Sequence, residues 1–216
     1  MRHVVWDWNG TLLADFDLMR EATAASLARF SLPALDADAY RSAFDRPLRR
    51  FYERLVGAVI DDDAWRRADD AFHTHYRARV RSCSLATDAA HLLDAVLATG
   101  ATQSLLSLFR HGELLTLFEA HGLTGRFSRV EGDTVGDGGS KLDRLVAHLS
   151  ALSLNPAQVV LVGDTLDDAA AAEGVGAECV LVAEHSCHHE RDLRAVAPTY
   201  ATLADATDYL LTRLAA

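Results

Sequence analysis

Two short segments hold most of the reactive side chains of this 216-residue chain. The first, Asp7-Trp8-Asn9-Gly10-Thr11, lies directly behind the apolar run His3-Val4-Val5-Trp6. A carboxylate at the mouth of a strand can attack an electrophile or hold a metal. The glycine lets backbone approach an oxyanion, and the threonine hydroxyl adds a donor. Such a layout suits a phosphate group. The second segment, Gly163-Asp164-Thr165-Leu166-Asp167-Asp168, follows the run Gln158-Val159-Val160-Leu161-Val162. Two strands that each end in acid, in a chain of alternating strands and helices, point to one shared site at the carboxyl edge of a parallel sheet.

A third signal is compositional. Of 21 Lys and Arg residues, only Lys141 is a lysine. It follows the glycine-rich stretch Gly136-Asp137-Gly138-Gly139-Ser140 and opens a helix expected over Leu142 to Leu149. A helix start disfavours a cation. A compact ammonium is useful where a point charge must sit between a carboxylate and a phosphate.

Taken together, the two acidic motifs, in this order and with Ser107 and Lys141 between them, resemble the haloacid dehalogenase superfamily of phosphatases and phosphoryl transferases. The resemblance implies an α/β fold: a three-layer, Rossmann-like parallel-sheet core with an inserted all-helical cap of the C1 type. It further implies Mg²⁺-dependent hydrolysis of a small-molecule phosphomonoester through an aspartyl-phosphate on Asp7. Lys141 would be the phosphate-binding lysine. Gly10, Thr11, Ser107 and Lys141 would hold the phosphoryl oxygens, with Ser104 a rival to Ser107. Mg²⁺ would be bound by Asp7, Asp164 and the main-chain carbonyl of Asn9. Asp168, one helical turn after Asp164, would bind a metal water or fix its partner. Asp167 should face elsewhere and serve as a helix cap.

One position departs from the family pattern, Asp-x-Asp-Gly-Thr: its second acid is Asn9 here. An amide can neither protonate a leaving group nor deprotonate water, a service worth about 10² to 10⁴ in rate. Three readings follow: an enzyme tuned to good leaving groups, a histidine standing in, or a catalytically weak, phosphate-binding or regulatory protein. Asn9→Asp should then restore the base and accelerate turnover.

Substrate selectivity has five candidates: Trp8 beside the nucleophile, Arg46, Arg49 and Arg50 around Pro47, and His111 after Ser107. His185, His188 and His189, with Cys187, match no known metal-ligand spacing and read as loop histidines.

The elements that must position these residues follow from periodicity. From about Asp15 to Ser84 only helical patterns occur, so residues 15–84 are expected to form the helical cap and residues 1–14 and 85–216 the core. Core helices are expected over Asp88–Ala98, Gly112–His121, Asp167–Glu173 and Leu203–Leu214. Strands are expected over Thr102–Leu106, around Phe127–Val130, over Glu178–Val182 and at Tyr200. Net charge is −10 and the pI about 5.4, which argues against nucleic acid as a partner. No apolar run approaches a membrane span. Three cysteines without CxxC spacing fit a reduced, cytoplasmic protein.

Overall fold

The computed structural model describes residues 2–134 and 139–215. Gly136, Asp137 and Gly138 of the glycine-rich stretch lie outside the described residues. Among the described residues, six strands form one sheet: β1 (His3–Trp6), β2 (Thr102–Arg110), β3 (Val130–Asp133), β4 (Val159–Gly163), β5 (Glu178–Val182) and β6 (Thr199–Tyr200). Their order is β3-β2-β1-β4-β5-β6 and every pairing is parallel. The chain leaves β1 toward β2 and β3, then returns to the other side of β1 as β4. The reversal point therefore falls between β1 and β4, where open α/β sheets bind ligands.

β1 and β4 are buried along their whole length, which explains their unbroken apolar runs. Alternate residues face opposite layers. Val4, Trp6 and Val162 pack toward α5 (Ala89–Ala98), α6 (His111–Ala120) and α10 (Leu203–Ala215). Val5 and Leu161 pack toward α7 (Lys141–Ala151) and α8 (Leu166–Val175). The expected three-layer parallel architecture is observed.

Between β1 and α5 come α1 (Phe16–Leu27), α2 (Ala37–Ala43), α3 (Leu48–Val56) and α4 (Asp62–Arg79). Asp36 and Asp61 cap α2 and α4 by accepting from Ala39 N (2.8 Å) and Ala64 N (2.7 Å). α1 and α4 lie along one another. Small residues, Ala22 and Ser26 against Ala68, permit the close approach, and Ser26 Oγ donates to Ala68 O at 2.5 Å. Phe16, Tyr40, Phe51 and Tyr52 give these helices a core of their own, which Cys187 of the core enters.

Some expected boundaries shift. β2 runs four residues past Leu106, to Arg110, through a register irregularity against β3. Ser107 is therefore inside the strand, not at its end. β3 begins at Val130, later than the apolar residues near Phe127 indicated, because an edge strand of four residues pairs through backbone and needs little apolar pattern. A short helix, α9 (Glu190–Arg194), was not expected; its five residues are too few to show a period.

A polar chain crosses the apolar sheet. His3 bonds Thr102 Oγ1 and Ser104 Oγ (both 2.7 Å), Ser104 bonds His148 Nε2 (2.8 Å), and His148 Nδ1 meets Glu131 (2.9 Å). This occupies Ser104 away from the acidic strand ends. Burial, and then His148, lower the His3 pKa to about 4, and burial lowers that of His148 as well. The folded state therefore prefers both rings neutral. Their contribution is present above the unfolded pKa, about 6.5, and is lost as pH falls toward 4, by up to about 3 kcal/mol for His3. Urea unfolding of wild type and His3→Gln between pH 4 and 7 should show a flatter pH slope in the variant.

Candidate active site

β1 and β4 are neighbours, so their terminal acids meet. Asp7 N donates to Val162 O at 2.9 Å, which extends the ladder to the nucleophile candidate itself. The chain then folds tightly: Trp8 O accepts from Thr11 N (3.3 Å), Leu12 N (3.0 Å) and Leu13 N (2.8 Å). Gly10 sits in this turn with φ +72°, and a Cβ there would collide with the Asp164 carboxylate. Only glycine fits both conditions. Thr11 is fully buried and its Oγ1 donates to Asp164 Oδ1 at 3.1 Å.

Lys141 reaches this point from the first turn of α7, where Ser140 caps the helix. Its Nζ pairs closely with Asp7 Oδ1, donates to Leu106 O at 3.0 Å, and lies 3.0 Å from Asp168 Oδ1. Asp168 in turn closes a capping box at the start of α8: its Oδ2 accepts from Thr165 Oγ1 (2.6 Å) and Thr165 N (3.1 Å). The capping role expected of Asp167 thus belongs to Asp168. Asp167 stays out of the carboxylate cluster, lies on the wall of the same cavity and pairs with Arg46 at 3.0 Å. Gly163 is small because a Cβ would strike the Asp168 carboxylate.

Carboxylate oxygens of Asp7, Asp164 and Asp168 lie within 4.8 Å of one another, all buried. Burial raises the Asp7 pKa to about 6, against the pull of Lys141. Burial and then the charges of Asp7 and Asp168 push Asp164 well above the usual carboxylate range. At Asp168 burial also favours the neutral acid but is outweighed by Lys141 and Thr165, so its pKa is lowered. At Lys141 burial is outweighed by Asp168 and Asp7, which raise its pKa. Three carboxylates facing one ammonium form a site with oxygen donors and excess negative charge. It fits a hard divalent cation such as Mg²⁺.

These residues line a cavity of about 210 Å³, shared with Asn9, Gly10, Ser107, Arg46 and His185. Ser107 is buried and its Oγ accepts from Phe109 N at 3.0 Å. The other selectivity candidates fall outside the cavity. Trp8 is fully buried in the core, its ring 6.1 Å from that of His121. Arg49 binds Asp62, Glu53 and Ile60 O, and Arg50 faces Asp45 in solvent. His111 Nδ1 accepts from Gly132 N (3.1 Å) at the sheet edge. Of the loop histidines, His189 reaches Ser42 of α2 (3.0 Å) and His188 packs on Phe44.

Two residues were missed by sequence reading. Asp15, 1% exposed, accepts from Asn9 Nδ2 (2.8 Å), Gly10 N (2.9 Å) and the Tyr76 hydroxyl (2.5 Å); Asn9 Nδ2 also donates to Tyr76 Oη at 2.9 Å. Tyr76 comes from α4 and lines the cavity. The position that departs from the family pattern is therefore clamped by a buried acid. Only the acidic residue Asp15 carried any signal, as an unexplained carboxylate before a helix.

The comparisons agree with this geometry. A family model described as HAD-hydrolase-like matches residues 142–209, which include β4, Asp164 and Asp168. Solved structures match over nearly the whole chain. A haloacid dehalogenase-like family protein, SP0104, from Streptococcus pneumoniae has a TM-score of 0.81 at 17% identity, covering 97% of this chain and 98% of its own. A predicted phosphatase from Clostridium acetobutylicum scores 0.83 at 16%, with 98% of each chain covered. A HAD hydrolase of family IA, variant 3, from Entamoeba histolytica scores 0.79 at 19%, covering 100% and 99%. No curated protein has a significant match to the sequence. The chain has the haloacid dehalogenase-like fold, and the resemblance read from its motifs holds in sequence over residues 142–209.

The clamp revises the expectation for Asn9→Asp. The new carboxylate would face Asp15 where the amide now donates at 2.8 Å, and like charges in a buried place repel. The variant should be destabilised by roughly 1–3 kcal/mol in chemical denaturation rather than activated. Asn9→Asp combined with Asp15→Asn, which inverts the donor and acceptor, should recover most of that loss.

Proposed function

We propose that this protein is a phosphatase that hydrolyses a small-molecule phosphate monoester with Mg²⁺, through phosphorylation of Asp7. The observation that carries the reading is the buried ammonium of Lys141 shared by Asp7 and Asp168 beside a third carboxylate, Asp164. When bound by Asp7, Asp164 and the carbonyl of Asn9, with Asp168 behind them, Mg²⁺ supplies the positive charge that lets an anionic phosphate approach anionic oxygens. Lys141 holds Asp7 Oδ1 in place, which leaves the other carboxylate oxygen to attack phosphorus. Ser107, on the cavity wall, donates to the phosphoryl oxygens, while Thr11 and Gly10 act one step back, through their bonds to Asp164 and Asp15. Water then hydrolyses the aspartyl-phosphate.

In this reading residues 15–84 act as the cap over a core of residues 1–14 and 85–216. Arg46, paired with Asp167 across the two, is one of its contacts with the site, beside those of Asp15 and Tyr76 with Asn9. No described helix is long and apolar enough to cross a membrane. The three cysteines are unpaired, which supports a cytoplasmic setting.

Phosphate release should be measured over a panel of metabolite monoesters with Mg²⁺ and with EDTA. Turnover that needs Mg²⁺ and falls by at least about 10³ in Asp7→Asn is expected. Undiminished release in that variant would remove Asp7 as nucleophile. Lys141→Arg should stay folded by circular dichroism yet lose about 10² in kcat, since a wider guanidinium displaces Asp7 from its line of attack. Asp164→Asn should lessen the Mg²⁺-induced rise in Tm, a readout that needs no turnover.

A further inference from the structure

The acidic half of the cavity faces a wall of different chemistry. Met19 of α1, Phe44, Leu48 of α3, Phe72 of α4 and Phe109 of β2 line it, all apolar and none fully buried. Phe72 stacks on Tyr76 at 5.7 Å (interplanar angle 10°), and Tyr76 meets Phe109 edge-on at 5.9 Å. The cations of the cavity are already engaged: Lys141 with Asp7 and Asp168, Arg46 with Asp167. Its lining histidines, His73 and His185, face Asp69 and Glu184. Among the described residues, a sugar or a second anionic group would find few free polar partners here, whereas a flat apolar group would find a surface of matching kind.

The proton inventory points the same way. Asn9 Nδ2 has two hydrogens, and both are used, toward Asp15 and Tyr76. The Tyr76 hydroxyl donates to Asp15. The residue two places after Asp7 therefore offers no proton to the departing oxygen. An alkoxide, whose conjugate acid resembles water at about 15.7, leaves poorly without one. A phenoxide, whose conjugate acid titrates near about 10, leaves unaided far more readily.

We propose that the substrate is an aryl phosphate, a single aromatic ring bearing the phosphate oxygen. The ring lies against Phe72, Tyr76 and Phe109 while the phosphate meets Asp7 and Lys141. This rests on the phosphatase reading above and narrows it. The steps balance as follows. A carboxylate oxygen of Asp7 forms a bond to phosphorus as the phosphorus–aryl oxygen bond breaks, and the electron pair leaves with the phenoxide. Water then attacks phosphorus and the bond to Asp7 breaks. The hydroxyl of that water ends on phosphate, and its proton ends on the phenoxide through solvent.

The test is a comparison of four esters on the full chain with Mg²⁺: phenyl phosphate, cyclohexyl phosphate, glucose 6-phosphate and acetyl phosphate. Phenyl and cyclohexyl phosphates share a ring-sized group but differ in leaving ability. A kcat ratio of about 10² or more in favour of phenyl is expected, the scale of the missing acid. Acetyl phosphate has a good leaving group without a ring, and its KM should exceed that of phenyl phosphate by about tenfold, a difference worth about 1.4 kcal/mol. Phe72→Leu keeps an apolar side chain but removes the flat face. It should narrow that KM gap by roughly two- to tenfold, the measured range for aromatic pairs. Cyclohexyl or glucose 6-phosphate turned over as fast as phenyl phosphate would overturn the aryl assignment while the phosphatase reading stands. Acetyl phosphate cleaved with a KM equal to that of phenyl phosphate would also overturn it. Release from none of the four would overturn the aryl assignment, and the metabolite panel above then decides the phosphatase reading by itself.

Discussion

One buried ammonium holds the centre of this molecule together. Lys141 is 6% exposed; its ammonium donates to Asp7 and to the carbonyl of Leu106 and lies 3.0 Å from an oxygen of Asp168. Without it, carboxylates from β1 and from the start of α8 would face each other in a place that water hardly reaches. The cost of an uncompensated buried charge is several kcal/mol. With it, β1, β2, α7 and α8 are tied at one point. The sheet order makes this possible, because only at the reversal between β1 and β4 do two strand ends and two helix starts converge.

The same crowding governs the small residues. Gly10 and Gly163 are each pressed against a carboxylate, of Asp164 and Asp168 respectively. The acids are therefore held by steric walls as well as by charge. Such fixing matters for a group that must act along one line, since freedom of even an ångström is costly in rate. Asp168 shows how economically the fold uses a side chain. One carboxylate caps α8 through Oδ2 and steadies Lys141 through Oδ1.

What the sequence revealed follows the range of the signals. Asp7, Asp164 and Lys141 were legible because two end apolar strands and the third is the chain's lone lysine. The alternation of strands and helices gave the parallel sheet. Ser107 lines the cavity, but inside a strand rather than at its end, because a strand that continues through a register irregularity looks from sequence like a strand that stops. The Asp15–Tyr76 contact joins residues 61 apart, and no local pattern encodes such a meeting. The arginines after Asp45 read alike in sequence. Only packing separates Arg46, turned to the cavity, from Arg49 and Arg50, turned to solvent and to acids of the helical unit.

The join between the sheet and the helices has a mechanical meaning. Two connecting segments run side by side: Ala14 N bonds Ser84 O at 3.0 Å and Ala86 N bonds Leu12 O at 2.8 Å. Close beside them, Asp15 gathers Asn9, Gly10 and Tyr76. The paired segments and this hub lie at one end of α4, and Arg46 touches the core at another place. A rotation of the helices about the paired segments would act as a lever with a short arm at Tyr76 and a long arm at Phe44 and Leu48. The loop behind Asp7 lies beside those paired segments, so such a rotation would displace it less than the far rim of the cavity.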